Sequence, residues 1–141
     1  MKSFATLIRL RKHELDIERR ALTALEDKAA DIVRRRAALD AEYAAETARA
    51  RSDVEASYVI GDYISAVRRR RLALNAEDAE LAREIALTEA KVRDAFRELK
   101  RFELADSRQR ARADKQALDR EQAMLDEVAL TGFRRQAEGQ A

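Results

Sequence analysis

The chain contains no cysteine and no proline. Without cysteine there is neither a disulfide nor a thiol nucleophile, so a stapled secreted scaffold is excluded and a reducing compartment is the expected setting. Without proline nothing breaks a helical hydrogen-bond ladder, and only Gly61 among the three glycines falls in the interior of the sequence. Aromatic residues make up 5%, too few to build the stacking platform of a single-strand RNA binder. Apolar runs are short as well: Met1 to Ile8 ends at Arg9 before it reaches signal-peptide length, and nothing later approaches the ~20 residues of a membrane span. A soluble chain, meeting a membrane only through a partner, is expected.

Neither sign of charge dominates. The 29 basic and 27 acidic residues leave a net +2, a balanced polyampholyte with no general attraction to nucleic acid. What is present is charge at 40% together with Ala, Leu, Arg and Glu, side chains that lose little freedom in a helix. This composition reads as one elongated α-helical domain.

Positions 15, 18, 22, 25, 29, 32, 36, 39 and 43 follow the alternating 3-4 spacing of a coiled-coil seam, and seven of these nine are apolar. A second seam runs through 60, 64, 67, 71, 74, 78, 81, 85, 88, 92, 95, 99 and 102, with ten of thirteen apolar. Between them, Gly61 offers the backbone freedom of a reversal and Asp62 a helix cap. The expected fold is therefore all-α, a long antiparallel two-stranded coiled-coil hairpin forming a single domain over 1–141. Helix 1 spans about 3–58, the turn about 58–62 and helix 2 about 62–131, with a flexible tail at 132–141. Folding back about residue 60 sets residue i near 120 minus i, so Leu39 is expected opposite Leu81.

The exposed faces carry acid-to-base pairs at i,i+4, such as Asp16 with Arg20 and Asp106 with Arg110, each worth ~0.2–0.5 kcal/mol. Arg36, Arg71 and Asp78 interrupt the seams, either fixing register or reaching past the edge to water. Beyond Phe102 the second seam fails, because its continuation at 106, 109, 113, 116 and 120 reads Asp, Gln, Ala, Gln, Arg. The open end is thus poorly matched to itself, with Phe4, Leu7 and Ile8 on one strand. Further on, Leu118, Met124, Leu125 and Val128 form an apolar stripe in a different phase. Leaving four such side chains exposed forgoes ~1.5–3 kcal/mol each relative to burial, which points to another protein, or a second copy, as their cover.

Catalytic patterns are missing. His13 is the only histidine and lacks a second one four residues on, so it reads as a solvated helix residue and no metal or other cofactor is expected. Three widely separated glycines cannot build a phosphate-cradling loop, and there is no nucleophile elbow. The Arg34–Arg36, Arg68–Arg71 and Arg108–Arg112 runs spread around the helix circumference. They read as solvated faces, with RNA or acidic lipid as the sharper alternative. Tyr43, Tyr58 and Tyr63 cluster toward the turn, either as packing or as a binding patch.

Two stretches carry a resemblance. Phe4-Ala5-Thr6-Leu7-Ile8-Arg9-Leu10-Arg11-Lys12-His13-Glu14-Leu15-Asp16 resembles the Leu-rich, basic, then Glu-hydrophobic-Asp start of the FliJ family of flagellar export proteins. Tyr63-Ile64-Ser65-Ala66-Val67 resembles its aromatic-Ile-x-x-aliphatic motif. The resemblance extends over nearly the whole chain in length and layout. It implies a non-enzymatic coiled coil similar to the stalk subunit of rotary ATP synthases, cytoplasmic and peripheral to the inner membrane at the flagellar base. Its implied partners are a hexameric export ATPase whose pore it enters, an export-gate membrane protein, and substrate-specific export chaperones. On that reading Phe4, Leu7, Ile8, Arg11, Leu118, Met124, Leu125 and Val128 would bind the ATPase. Tyr43, Tyr63, Val67 and Leu74 would bind the gate, with Arg70 standing where a small residue is usual. A self-associating scaffold and an equivalent stalk of a virulence-type secretion system are the alternatives.

Overall fold

The computed structural model describes residues 3–139. The fold is all-α: α1 (Phe4–Ser52) and α2 (Val54–Gly139) pack against each other as a hairpin, joined at Asp53. Ser3 opens α1 as its N-cap, its hydroxyl accepting from the Thr6 N–H at 3.5 Å and its carbonyl from Leu7 at 3.3 Å.

The reversal is not where glycine suggested. Gly61 lies inside α2, has no positive φ, and a Cβ there would meet nothing within 4 Å. The break falls at Asp53, whose carboxylate accepts from the Glu55 N–H at 3.0 Å and so caps α2. Ser52 before it sends its hydroxyl to the Arg49 carbonyl at 3.2 Å, the local competition for backbone groups that disfavours helix continuation. Asp62, expected to cap helix 2, is an exposed residue of the helix interior. The far end also differs from expectation. Gly132 does not stop α2, which continues to Gly139, so 132–139 is helix rather than a loose tail; residues 140 and 141 lie outside the described range.

The chain divides into two compact units. The first in sequence order of its core, Lys12–Phe96, holds the coiled coil proper. Leu15, Ile32, Leu39, Val67, Leu74 and Leu81 are buried there, with Thr88 the one buried polar residue. All nine positions of the first seam are buried or half-buried, as are the second-seam positions from 60 to 95 except Arg71. Leu39, Val67 and Leu74 form one cluster with Tyr43 and Tyr63 against it. Leu39 therefore packs on Val67 and Leu74, not opposite Leu81. Cross-helix pairs give the reason: Arg35 meets Glu77 and Arg70 meets Glu42, pairs whose numbers add to 112, which centres the pairing at about residue 56, just past the break at Asp53, rather than at 60.

The charges that interrupt the seams bridge the helices. Arg36 donates to Asn75 at 2.7 Å and lies 3.4 Å from Asp78. Arg71 reaches Asp40 at 3.1 Å with its guanidinium 4.9 Å from the Tyr43 ring centre. Each exposed bridge contributes at most about 1 kcal/mol, so their role is to prefer one register. The Arg35 hydrogen bond holds the Glu77 carboxyl below its ordinary 4.5, and the same bond raises the Arg35 pKa. This contribution is present above the ordinary carboxylate range and is lost as acid protonates Glu77. Along the surface, the expected Asp16–Arg20 and Asp106–Arg110 pairs form at 2.9 and 3.2 Å, and Asp31–Arg35 forms likewise at 3.1 Å.

The second unit comprises residues 3–11 and 97–139. Phe4, Leu7, Ile8 and Arg11 are half-buried, Leu99 is buried, and Phe102, Glu103, Ala105 and Asp106 are half-buried. The Arg11 guanidinium sits over the Phe102 ring at 5.2 Å. From residue 107 to 139 every position of α2 is exposed, a length of about 50 Å at the helical rise.

Candidate functional site

Two places gather the residues that the sequence singled out. The first is the exposed length of α2. Its apolar side chains are uncovered: Leu118 is 66% exposed, Met124 70%, Leu125 58% and Val128 66%. With Arg11 on Phe102, antiparallel pairing carries Phe4 to about residue 109 of α2. Leu118 then lies roughly 13 Å farther along the helix axis. The structure therefore does not bring Phe4, Leu7, Ile8 and Arg11 together with Leu118, Met124, Leu125 and Val128. The former pack on α2, and the latter stand beyond them.

Nor is the apolar stripe one line. Leu118 and Leu125, seven apart, continue a heptad line from Leu104 and Ala111, while Met124 and Val128, four apart, lie about 100° around the helix. Leu130 and Phe133 are also exposed and extend this surface. A helix ending at 131 leaves Phe133 out, and its place eight residues after Leu125 is the signal that would have revealed it; Leu130 lies within the expected helix but outside the expected stripe. The exposed length of α2 thus presents apolar side chains on more than one side.

The second place is the aromatic layer. Tyr43 and Tyr63 stack with ring centroids 6.5 Å apart and planes at 14°. Val67 and Leu74 lie beneath them, 1% and 8% exposed, so within this chain they face the opposite helix and the layer's outer edge is formed by the tyrosines, Glu42 and Arg70. Tyr58, expected to join them, is apart and exposed.

The Tyr63 hydroxyl is buried without a hydrogen-bond partner among the described residues. Burial first, then Glu42 and Glu46, pushes its pKa above the ordinary 10.0. A raised pKa means that its contribution is present below 10.0 and lost as pH rises through the folded value. Tyr63→Phe is therefore expected to leave the urea midpoint at neutral pH unchanged or higher, since it removes a desolvated hydroxyl. The variant should also lose less stability than the wild type at alkaline pH, as denaturation followed by circular dichroism at the two pH values checks.

His13 is exposed, and no group of three or more potential metal ligands occurs among the described residues. Among the described residues no helix is long and apolar enough to cross a membrane. Compared with known families, the sequence matches the FliJ family, described as Flagellar FliJ protein, over residues 1–138. The chain belongs to the FliJ family. FliJ membership makes it a non-catalytic protein of flagellar export, of the stalk and chaperone type. No match was found among curated proteins or among solved structures.

Proposed function

We propose that this FliJ-family chain is a cytoplasmic stalk and escort of flagellar export, working peripherally at the inner membrane. The exposed part of α2 enters the central pore of the hexameric export ATPase and promotes ring assembly and activity. The observation that carries this reading is the length of helix from 107 to 139, exposed throughout and bearing Leu118, Met124, Leu125 and Val128 with nothing to cover them. An isolated helix of this kind forgoes the burial that would stabilise it, so a pore wall around it supplies what the chain lacks. A single rod inside a ring of six subunits cannot touch them equally. Unequal contact shifts their conformational equilibria by differential affinity, with no chemistry from the rod itself.

Phe4, Leu7, Ile8 and Arg11 act in this scheme by holding the base of the projecting helix, with their half-exposed edges at the rim of the ring. The aromatic layer is the contact for the export gate: Tyr43 and Tyr63 touch the partner, while Val67 and Leu74 support them from below. Substrate chaperones are escorted between the two.

Leu125→Asp with Val128→Asp tests the assignment. Both positions are exposed, so helix content and unfolding should be unchanged. ATPase affinity is expected to fall roughly thirty-fold, the equivalent of about 2 kcal/mol, and stimulation with it. Titration of the purified ATPase, read by turnover and by anisotropy of the labelled chain, decides; undiminished binding by the folded variant rejects the site.

A further inference from the structure

The exposed length of α2 carries a feature that the stalk reading leaves unused. Residues 107–117 hold four cations, Arg108, Arg110, Arg112 and Lys115, against one anion, Asp114, a net +3. Arg110 pairs with Asp106, but Arg108, Arg112 and Lys115 make no ion pair among the described residues. Their 4-3 spacing puts them on one face, beside the exposed heptad line of Leu104, Ala111 and Leu118. This is an amphipathic helix face with a basic border and no cover.

The Lys12–Phe96 unit contains a surface of opposite sign. A groove of about 680 Å³ with Leu81 in its wall is lined by five carboxylates and three cations, a net −2. On the α2 side its carboxylates are Glu77, Glu80 and Glu84, spaced 3-4, and Lys91 ends the run as Asp119 ends the basic one. Glu84, like Asp27 across the groove, makes no ion pair among the described residues, while Glu77 is bridged to Arg35 and Glu80 to Arg83.

We infer that the basic face of one molecule docks into the acidic groove of a second copy. Laid antiparallel, the two spacings coincide: Arg108 comes to Glu84, Arg112 to Glu80 and Lys115 to Glu77. The same register sets Ala111 toward Leu81, with Leu104 and Leu118 toward Thr88 and Leu74, because both lines repeat every seven residues; Leu81, Thr88 and Leu74 are already buried in the hairpin, so the charged pairs carry the contact. A small residue meets the large one at the centre, which lets the third helix approach. A membrane or a nucleic acid is a poorer fit, since an extended polyanion along this face would also meet Asp119, and no aromatic platform accompanies the cations. The contact goes beyond the stalk reading but uses part of the same exposed length of α2, so docking to a copy and docking to the ATPase compete.

Sedimentation velocity of the full-length chain tests this across roughly 5 to 500 µM, at about 50 mM and 500 mM salt. The mass is expected to rise with concentration at low salt and to return to one chain at high salt. Arg108→Glu with Arg112→Glu and Lys115→Glu, and separately Glu80→Lys with Glu84→Lys, should each weaken self-association at least tenfold. Mixing the two variants should restore a complex, because one retains the basic face and the other the acidic groove. In a chain otherwise free of cysteine, Arg112→Cys on one molecule should form a disulfide with Glu80→Cys on another. A chain that stays monomeric at every concentration, or self-association indifferent to both reversals, overturns the proposal. So does a monomer that binds phosphatidylglycerol vesicles or RNA through the same three cations. Leu125→Asp with Val128→Asp leaves the docking residues intact, which separates failure of this inference from failure of the ATPase assignment.

Discussion

Leu39→Ala is expected to destabilise the hairpin by about 2–5 kcal/mol, the cost of truncating a buried leucine to a methyl group. Leu39 is 3% exposed and packs between Val67 and Leu74, with Tyr43 and Tyr63 closing the layer above it. Removing its isobutyl group loses the transfer energy of the buried carbons. The remaining space collapses only in part, because Val67, Leu74 and the two tyrosines are held by the rest of the seam. Urea unfolding followed by far-UV circular dichroism measures the loss. Val33→Ala, one turn and a half away on the same helix but 64% exposed, is the control; it should fall within about 0.5 kcal/mol of wild type.

Deleting residues 118–139 should produce the opposite combination. These residues are exposed along their whole length, so their loss lowers helix content in proportion to length and leaves the urea midpoint of the remaining chain where it was. Stimulation of the export ATPase, in contrast, should vanish. The slope of the unfolding transition scales with the surface exposed on unfolding, so it too should barely change. A fall in midpoint comparable to that of Leu39→Ala would show that the projecting helix stabilises the hairpin. Its solvent-facing apolar residues would then need another account.

How much of this was legible beforehand follows from which forces act locally. The seams were: Leu15, Ile32 and Leu39 on α1, and Val67, Leu74 and Leu81 on α2, fell where the 3-4 spacing placed them, because burial of a heptad stripe outweighs every weaker preference. The failure of the seam after Phe102 was equally visible and corresponds to the fully exposed length beyond 106. The turn was not. Glycine permits a reversal but does not demand one, and Gly61 keeps helical angles while Asp53, with Ser52 before it, supplies a cap. That displacement shifted the pairing by about one heptad, so the same seam residues were paired with the wrong neighbours. Gly132 misled in the same way, its cost of about 1 kcal/mol being too small to end a helix flanked by good formers. Cross-helix ion pairs such as Arg35 with Glu77 were out of reach without the register, since they depend on it entirely.

The junction at Asp53 has a consequence for how such a molecule can vary in size. A single non-helical residue joins two helices whose contact is set by facing stripes, with no loop to take up slack. Inserting one residue on either side would rotate everything beyond it by about 100° and turn the stripe to water. Length can therefore change only in matched blocks of seven, one on each helix, leaving the corner itself untouched. The free end of α2 faces no such constraint and can lengthen or shorten residue by residue.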